Sequence, residues 1–194
     1  MGYWRTLVMA GLYAVALGLV TDASAGEPTD QLRSQIEQLY QVVKGTAPES
    51  TKDREQTEIL DRMFDWSRMA EAALRGHWQQ RTPAERTEFT QLFASLFRRA
   101  YVSRVHVIDA SKFQYLGDSI QGDRATVRTK VFTKKTTPID VGYTVRLGEG
   151  RRWRIEDVRV EGISLIDNYR TQFDSLIARS SYAGLMEKLR GSVK

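Results

Sequence analysis

The 194-residue chain contains no cysteine. Disulfides, a catalytic thiol and thiolate metal sites are thereby excluded, as is the lipid-bearing cysteine of a bacterial lipoprotein. Histidine is scarce: His77 and His106 stand far apart, and neither falls in a metal-ligand spacing. No serine occupies a G-x-S-x-G setting and no glycine-rich phosphate loop appears, since "GEGR" (Gly148 to Arg151) reads as a hairpin turn. No apolar run reaches the roughly 20 residues that a bilayer-spanning helix needs. Little is left for catalysis. His77 follows a helix stop beside Trp78 and reads as a packing or capping residue, while His106 near the end of a long helix suits the helix dipole. Asp157, at a bulge in a strand, is one candidate for the carboxylate of an Asp/His pair on a pocket floor. No enzyme activity, metal or cofactor is expected.

One apolar run remains to be explained. It spans about Leu7 to Val20, follows Arg5, and precedes Ala23-Ser24-Ala25, the small-x-small pattern of a signal peptidase site. Residues 1–25 are therefore expected to be a cleaved export signal, and 26–194 a single soluble domain. Removing 1–25 takes one cation (Arg5) and one anion (Asp22), so the net charge stays at +5. The basic residues interleave with acidic ones. An exported chain of this kind suits anionic lipid or acidic protein surfaces better than nucleic acid, which is not expected as a partner.

The first half reads as helices. Leu32, Ile36, Leu39, Tyr40 and Val43 recur at helical spacing between Asp30 and Lys44, and a second helix from about Thr51 closes on Met63 and Phe64. After Asp65 a short helix presents Trp66, Met69, Ala70 and Ala73 and stops at Gly76. "TPAE" then puts Thr82 at an N-cap, Pro83 at the first helical position and Glu85 third, a capping box that opens a phenylalanine-rich helix through Tyr101.

The second half alternates with period two. Phe113 and Tyr115 mark one strand and Ala125, Val127 and Val131 a second. Ile139, Val141, Tyr143, Val145 and Leu147 form a third dry face, and Trp153 and Ile155 begin a fourth. Val158 and Val160 have the wrong parity for that fourth strand, so a bulge near Glu156-Asp157 is required. Gly162 then ends the sheet, Ser164 caps a helix bearing Ile166, Tyr169, Phe173 and Ile177, and "SYAGLMEKLRG" supplies a last helix. The class is α+β: a curved four-stranded antiparallel sheet with helices on its dry face. Its wet face, with Arg124, Arg128, Lys130 and Arg146, is available for docking to acidic rims. Periodicity alone does not separate a filled core from a lined cavity.

Three stretches resolve that ambiguity by resemblance. Met63 to Tyr101, with F-D-x-x-x-M-A, a tryptophan after "ALRGH", T-P and a phenylalanine/leucine helix, resembles the MlaC/toluene-tolerance family of periplasmic phospholipid-binding proteins. "GDRATVRTKV" (Gly122 to Val131) is similar to that family's second strand. "RWRIEDVRVEGISLIDNYRTQFDSLI" (Arg152 to Ile177) resembles its closing signature. Two departures stand out: "LRGHW" where the family often has "LGRHW", and "KKTTP" in a variable strand connection.

The resemblance implies a monomeric periplasmic carrier with an apolar cavity between sheet and helices. A glycerophospholipid would lie there by its acyl chains against Phe64, Met69, Phe93, Leu96, Phe97 and Tyr101 from the helices. Val127, Val131, Tyr143, Val145 and Trp153 would meet it from the sheet, and Ile163, Tyr169 and Phe173 from the closing segment. A helix N-terminus and Arg170 would attract its phosphate, although Arg170 is equally spaced for an intrahelical pair with Asp167 or Asp174. The implied partners are an inner-membrane ABC transporter complex with an MCE-domain ring and an outer-membrane lipoprotein–porin complex, and the implied role is auxiliary to lipid transport that maintains outer-membrane lipid asymmetry. Against this stand two other classes: an exported envelope adaptor whose interior is only a core, and a small enzyme on a similar fold using Asp157 or His77.

Overall fold

The computed structural model describes the backbone of residues 27–105, 108–133 and 137–192. The proposed export segment, His106 and part of the "KKTTP" connection lie outside the described residues. Helices α1 (Glu27–Lys44), α2 (Glu49–Met63), α3 (Trp66–Leu74) and α4 (Pro83–Val105) come first, with a short 3-10 segment, Arg75–Gln80, between the last two. The sheet follows as β1 (Ile108–Gln121), β2 (Arg124–Thr133), β3 (Ile139–Leu147), β4 (Trp153–Val160) and β5 (Ile163–Ser164), and α5 (Leu165–Ser192) closes the chain. All strands pair antiparallel with their sequence neighbours, in the order β1-β2-β3-β4-β5. No helix among the described residues is long and apolar enough to cross a membrane.

Five strands replace the expected four. Glu161 and Gly162 both take positive φ, 50° and 78°, as the two central residues of a tight hairpin require. The chain therefore folds back for two residues, pairing Ile163 with Val160 and Ser164 with Arg159. Two residues are too few to show alternation, and glutamate gives no turn signal. Ser164 nevertheless caps α5 as its spacing demanded, its Oγ accepting from the Asp167 N–H at 3.0 Å.

The bulge lies where parity required it. Thr144 pairs with Asp157 and Val145 with Ile155, leaving Glu156 unpaired. That single extra residue puts Trp153, Ile155 and Val158 on one buried face and turns Glu156 outward. There its carboxylate meets Arg146 at 2.5 Å and Arg68 and Arg124 at 3.6 Å. Arg146 also pairs with Asp123; the Glu156 hydrogen bond is the first cause that raises its already high pKa. Of the wet-face cations, Arg146 is thus built into the sheet, whereas Arg128 is exposed.

The other helix starts follow the same logic. Thr82 and Glu85 form the capping box, with the Thr82 N–H donating to Glu85 Oε2 at 2.8 Å and the Glu85 N–H to Thr82 Oγ1 at 3.3 Å. These bonds, the Thr82 backbone first, lower the Glu85 pKa. At α1 the cap comes from far along the chain: Asp118 of β1 accepts from the Thr29 backbone N–H and hydroxyl at 3.2 and 2.5 Å.

The exchanged glycine and arginine have a visible cost. Arg75 ends α3 at φ 41°, ψ −109°, a left-handed conformation that glycine adopts freely and arginine does not. Gly76 needs no such freedom, and a Cβ added there meets nothing within 4 Å. Swapping the pair (Arg75→Gly with Gly76→Arg) is expected to stabilise the protein by about 1 kcal/mol, read as a higher urea midpoint at unchanged slope.

Candidate ligand pocket

The dry face of the sheet is not completely filled. Between it, α1, α4 and α5 lies a pocket of about 890 Å³. Ile36, Leu39 and Tyr40 of α1 and Leu96, Phe97, Ala100 and Tyr101 of α4 form two walls. Its floor is Phe113, Val131, Val141, Tyr143, Val158 and Val160 from β1 to β4. The long helix α5 supplies the rest, from Leu165, Tyr169 and Phe173 to Leu185 and Leu189. The exposed lining residues lie chiefly on α5, which marks that helix as the border of the mouth.

The geometry of α5 allows this long contribution. Ser181 breaks it at φ 80°, ψ 170°, a region held almost only by glycine. The residues before the break line one part of the pocket, and Leu185, Lys188, Leu189 and Ser192 after it line another. Where α5 packs against α4 the contact is aromatic. Phe93 and Phe97 of α4 meet Tyr169 at ring-centroid distances of 5.4 and 6.1 Å, and Phe89 and Phe93 meet Phe173 at 5.7 and 6.1 Å.

Polar atoms in the floor satisfy one another. The Tyr101 and Tyr143 hydroxyls share a hydrogen bond, Thr129 is the next partner of Tyr143, and the Thr129 hydroxyl donates to the Val141 carbonyl at 3.0 Å. Burial pushes both phenols up, Tyr143 well above the usual tyrosine range. The floor is therefore uncharged at neutral pH. A native pKa above the unfolded one means that this contribution to stability is complete below about pH 10 and is lost as pH rises further. We expect stability to fall steeply above about pH 10, and Tyr143→Phe to flatten that fall, in urea unfolding series at stepped alkaline pH.

Seven of the residues expected at the lipid line the pocket: Leu96, Phe97, Tyr101, Val131, Tyr143, Tyr169 and Phe173. The others do not. Phe64, Met69 and Phe93 are fully buried in the helical core, and Val127, Val145 and Trp153 sit in the same core on the sheet side. Ile163 is 66% exposed on β5. Arg170 donates to the Ala72 carbonyl at 3.0 Å and pairs with Asp167 at 2.6 Å, fixing α5 to α3; of its two proposed roles, this is the intrahelical one. Residues missed by sequence reasoning include Ile36 and Leu39, and Val141, Val158 and Val160, which share a dry face with Tyr143. Their periodicity was visible, but facing inward does not reveal where packing stops short.

The enzyme candidates are occupied elsewhere. Asp157 accepts from the Ile166 N–H at 3.2 Å and so helps cap α5, and His77 pairs with Asp174 at 3.1 Å. Among the described residues no group of three or more His, Asp or Glu side chains is placed to hold a metal. A second hollow, about 590 Å³ between α1 and α2, is bordered by Glu37, Glu55 and Glu58 and suits no apolar ligand.

Comparison with known proteins agrees with this architecture. No curated protein matches the sequence. A phospholipid-binding protein from Ralstonia solanacearum, solved in complex with a phospholipid at 1.53 Å resolution, superposes with a TM-score of 0.70 at 20% identity, covering 86% of this chain and 97% of that one. The family model described as MlaC protein matches residues 33–191, nearly all of the folded region. The chain belongs to the MlaC family.

Proposed function

We propose that the protein is a phospholipid carrier that holds its cargo by the acyl chains in the pocket between the sheet and α1, α4 and α5. The observation that carries this reading is a largely apolar space of about 890 Å³ with an uncharged floor, near the upper end of the roughly 300–1,000 Å³ typical of ligand sites. Membership of the MlaC family and the phospholipid held by a structural neighbour support it. The physical need is large. Two chains of about 16 carbons expose roughly 30 methylenes, and at ~0.8 kcal/mol each this is on the order of 25 kcal/mol in water. No lipid crosses an aqueous compartment free at that cost.

The protein binds rather than transforms its ligand in this reading, since Asp157 and His77 are held in structural contacts. Export by residues 1–25 would place it in the periplasm. There it would pass lipid between an MCE-domain ABC transporter in the inner membrane and a lipoprotein–porin complex in the outer membrane, preserving lipid asymmetry. Arg128 is an accessible docking cation; Arg146 is held in its network and serves the sheet.

The test is protein purified from the periplasm without detergent, analysed by solvent extraction and by native mass spectrometry of the intact complex. Stoichiometric phospholipid is expected. Bare protein that also takes no lipid from vesicles overturns the proposal and leaves the envelope-adaptor reading.

A further inference from the structure

The pocket's charged lining is one-sided. Among the described residues that line it, Arg179 and Lys188 are the charged ones, both are cations, and no carboxylate is present. They stand on either side of the break at Ser181, at exposed positions and therefore at the mouth. The Arg179 Nε–H is used within its helix, donating to the Ser175 carbonyl at 3.1 Å. Neither side chain has an ion-pair partner among the described residues, whereas Arg170 and Arg190 on the same helix pair with Asp167 and Glu88. Leading to Arg179 along α5 is a polar row, Asn168, Gln172 and Ser175, at helical spacing beside the apolar wall. Asn168 and Gln172 are joined at 3.1 Å. Apolar walls, a polar margin and two unneutralised cations at the outlet form a graded surface that matches a lipid from tail to phosphate.

We propose that Arg179 and Lys188 seat the phosphate of an anionic phospholipid, so that the pocket prefers head groups lacking an ammonium. The proposal rests on the carrier reading and specifies its substrate class. A guanidinium fork takes two phosphate oxygens and a lysine adds a point charge. A zwitterionic head group brings its own cation into this field and loses part of the attraction. The break at Ser181 serves the same seat, because a straight helix would turn Lys188 about its axis relative to Arg179 rather than leave both on the border of one opening.

The test loads lipid-free protein from vesicles of phosphatidylglycerol or phosphatidylcholine. The unmodified protein is expected to take phosphatidylglycerol about fivefold to tenfold better, since two rim charges each contribute modestly. This preference should shrink toward unity at ~0.5 M salt. In Arg179→Gln/Lys188→Gln the preference should vanish at every salt concentration, uptake of phosphatidylglycerol falling further than that of phosphatidylcholine, which loses only the weaker pull on its own phosphate. Both positions are exposed. Lys188→Gln alone, with about half the effect, together with the salt series on the unmodified protein, covers a double variant that folds poorly. Equal uptake of both lipids by the unmodified protein, insensitive to salt, overturns the head-group seat and leaves the carrier reading intact. No uptake of either lipid overturns both.

Discussion

Phe93→Ala is expected to cost about 3–5 kcal/mol of unfolding free energy in lipid-free protein, the range for emptying an aromatic site in a packed core. Leu176→Ala should cost only about 1–1.5 kcal/mol. Both are apolar residues on helices that face the sheet. Phe93 is fully buried, and its ring meets Phe89, Phe97, Tyr169 and Phe173 at centroid distances of 5.4–6.1 Å. Leu176 is half-buried and borders the pocket. Truncating Phe93 makes a new cavity, whereas truncating Leu176 widens one that already exists and adds no second cavity term. Paired urea titrations decide the matter. Equal costs would mean that the space beside Leu176 closes in solution and that the interior is a core throughout.

Val141→Trp should do the opposite, leaving the fold intact and displacing cargo. Val141 is partly buried on the pocket floor, opposite Val160 in the β3–β4 ladder. An indole there occupies space meant for acyl chain. Excluding about three methylenes at ~0.8 kcal/mol each weakens lipid binding by roughly 50-fold. In a filled core the same substitution would cost about 1–3 kcal/mol of stability through overpacking. Lipid content by mass spectrometry and the thermal midpoint therefore move in different directions under the two descriptions. A variant that is destabilised yet keeps its lipid would refute the placement of the acyl chains.

Much of the fold could be read in advance because its signals are local. The capping box at Thr82 and Glu85, the serine at the start of α5 and the parity error that forced a bulge at Glu156 are each complete within a few residues. The two-residue strand β5 was not legible, since it exists through pairing with β4 rather than through its own pattern. Asp118 capping α1 was hidden for the same reason, as its partner lies 89 positions away. The pocket was only half legible. Tyr143 and Phe173 border open space while Phe93 and Val145, on equivalent faces, border other side chains. That difference is set by how far apart the helices sit, a property of the assembled layers and not of any one segment. Arg170 and Arg179 show the same point for charge. Arg170 lies one turn inside α5 and is spent on Ala72 and Asp167, whereas Arg179, nine residues later, stands at the outlet.

The small contacts along β4 bear on how such a sheet avoids pairing with other chains. A meander has two outer strands, and each exposes backbone groups that another chain can copy. On β4 that invitation is withdrawn over much of the strand. Phe64 bridges to Ile155, the Asp65 N–H donates to the Ile155 carbonyl at 2.9 Å, and β5 takes the groups at Arg159 and Val160. The other outer strand, β1, has no such cover among the described strands, but it is irregular: its pairing slips between Tyr115 and Gly117, and Gly117 sits at φ 93°. A kinked edge offers a poor template for strand addition. The hairpin that sequence reasoning overlooked therefore acts as a guard against edge-to-edge aggregation on the β4 side of the sheet, covering Arg159 and Val160 beyond the bulge at Glu156.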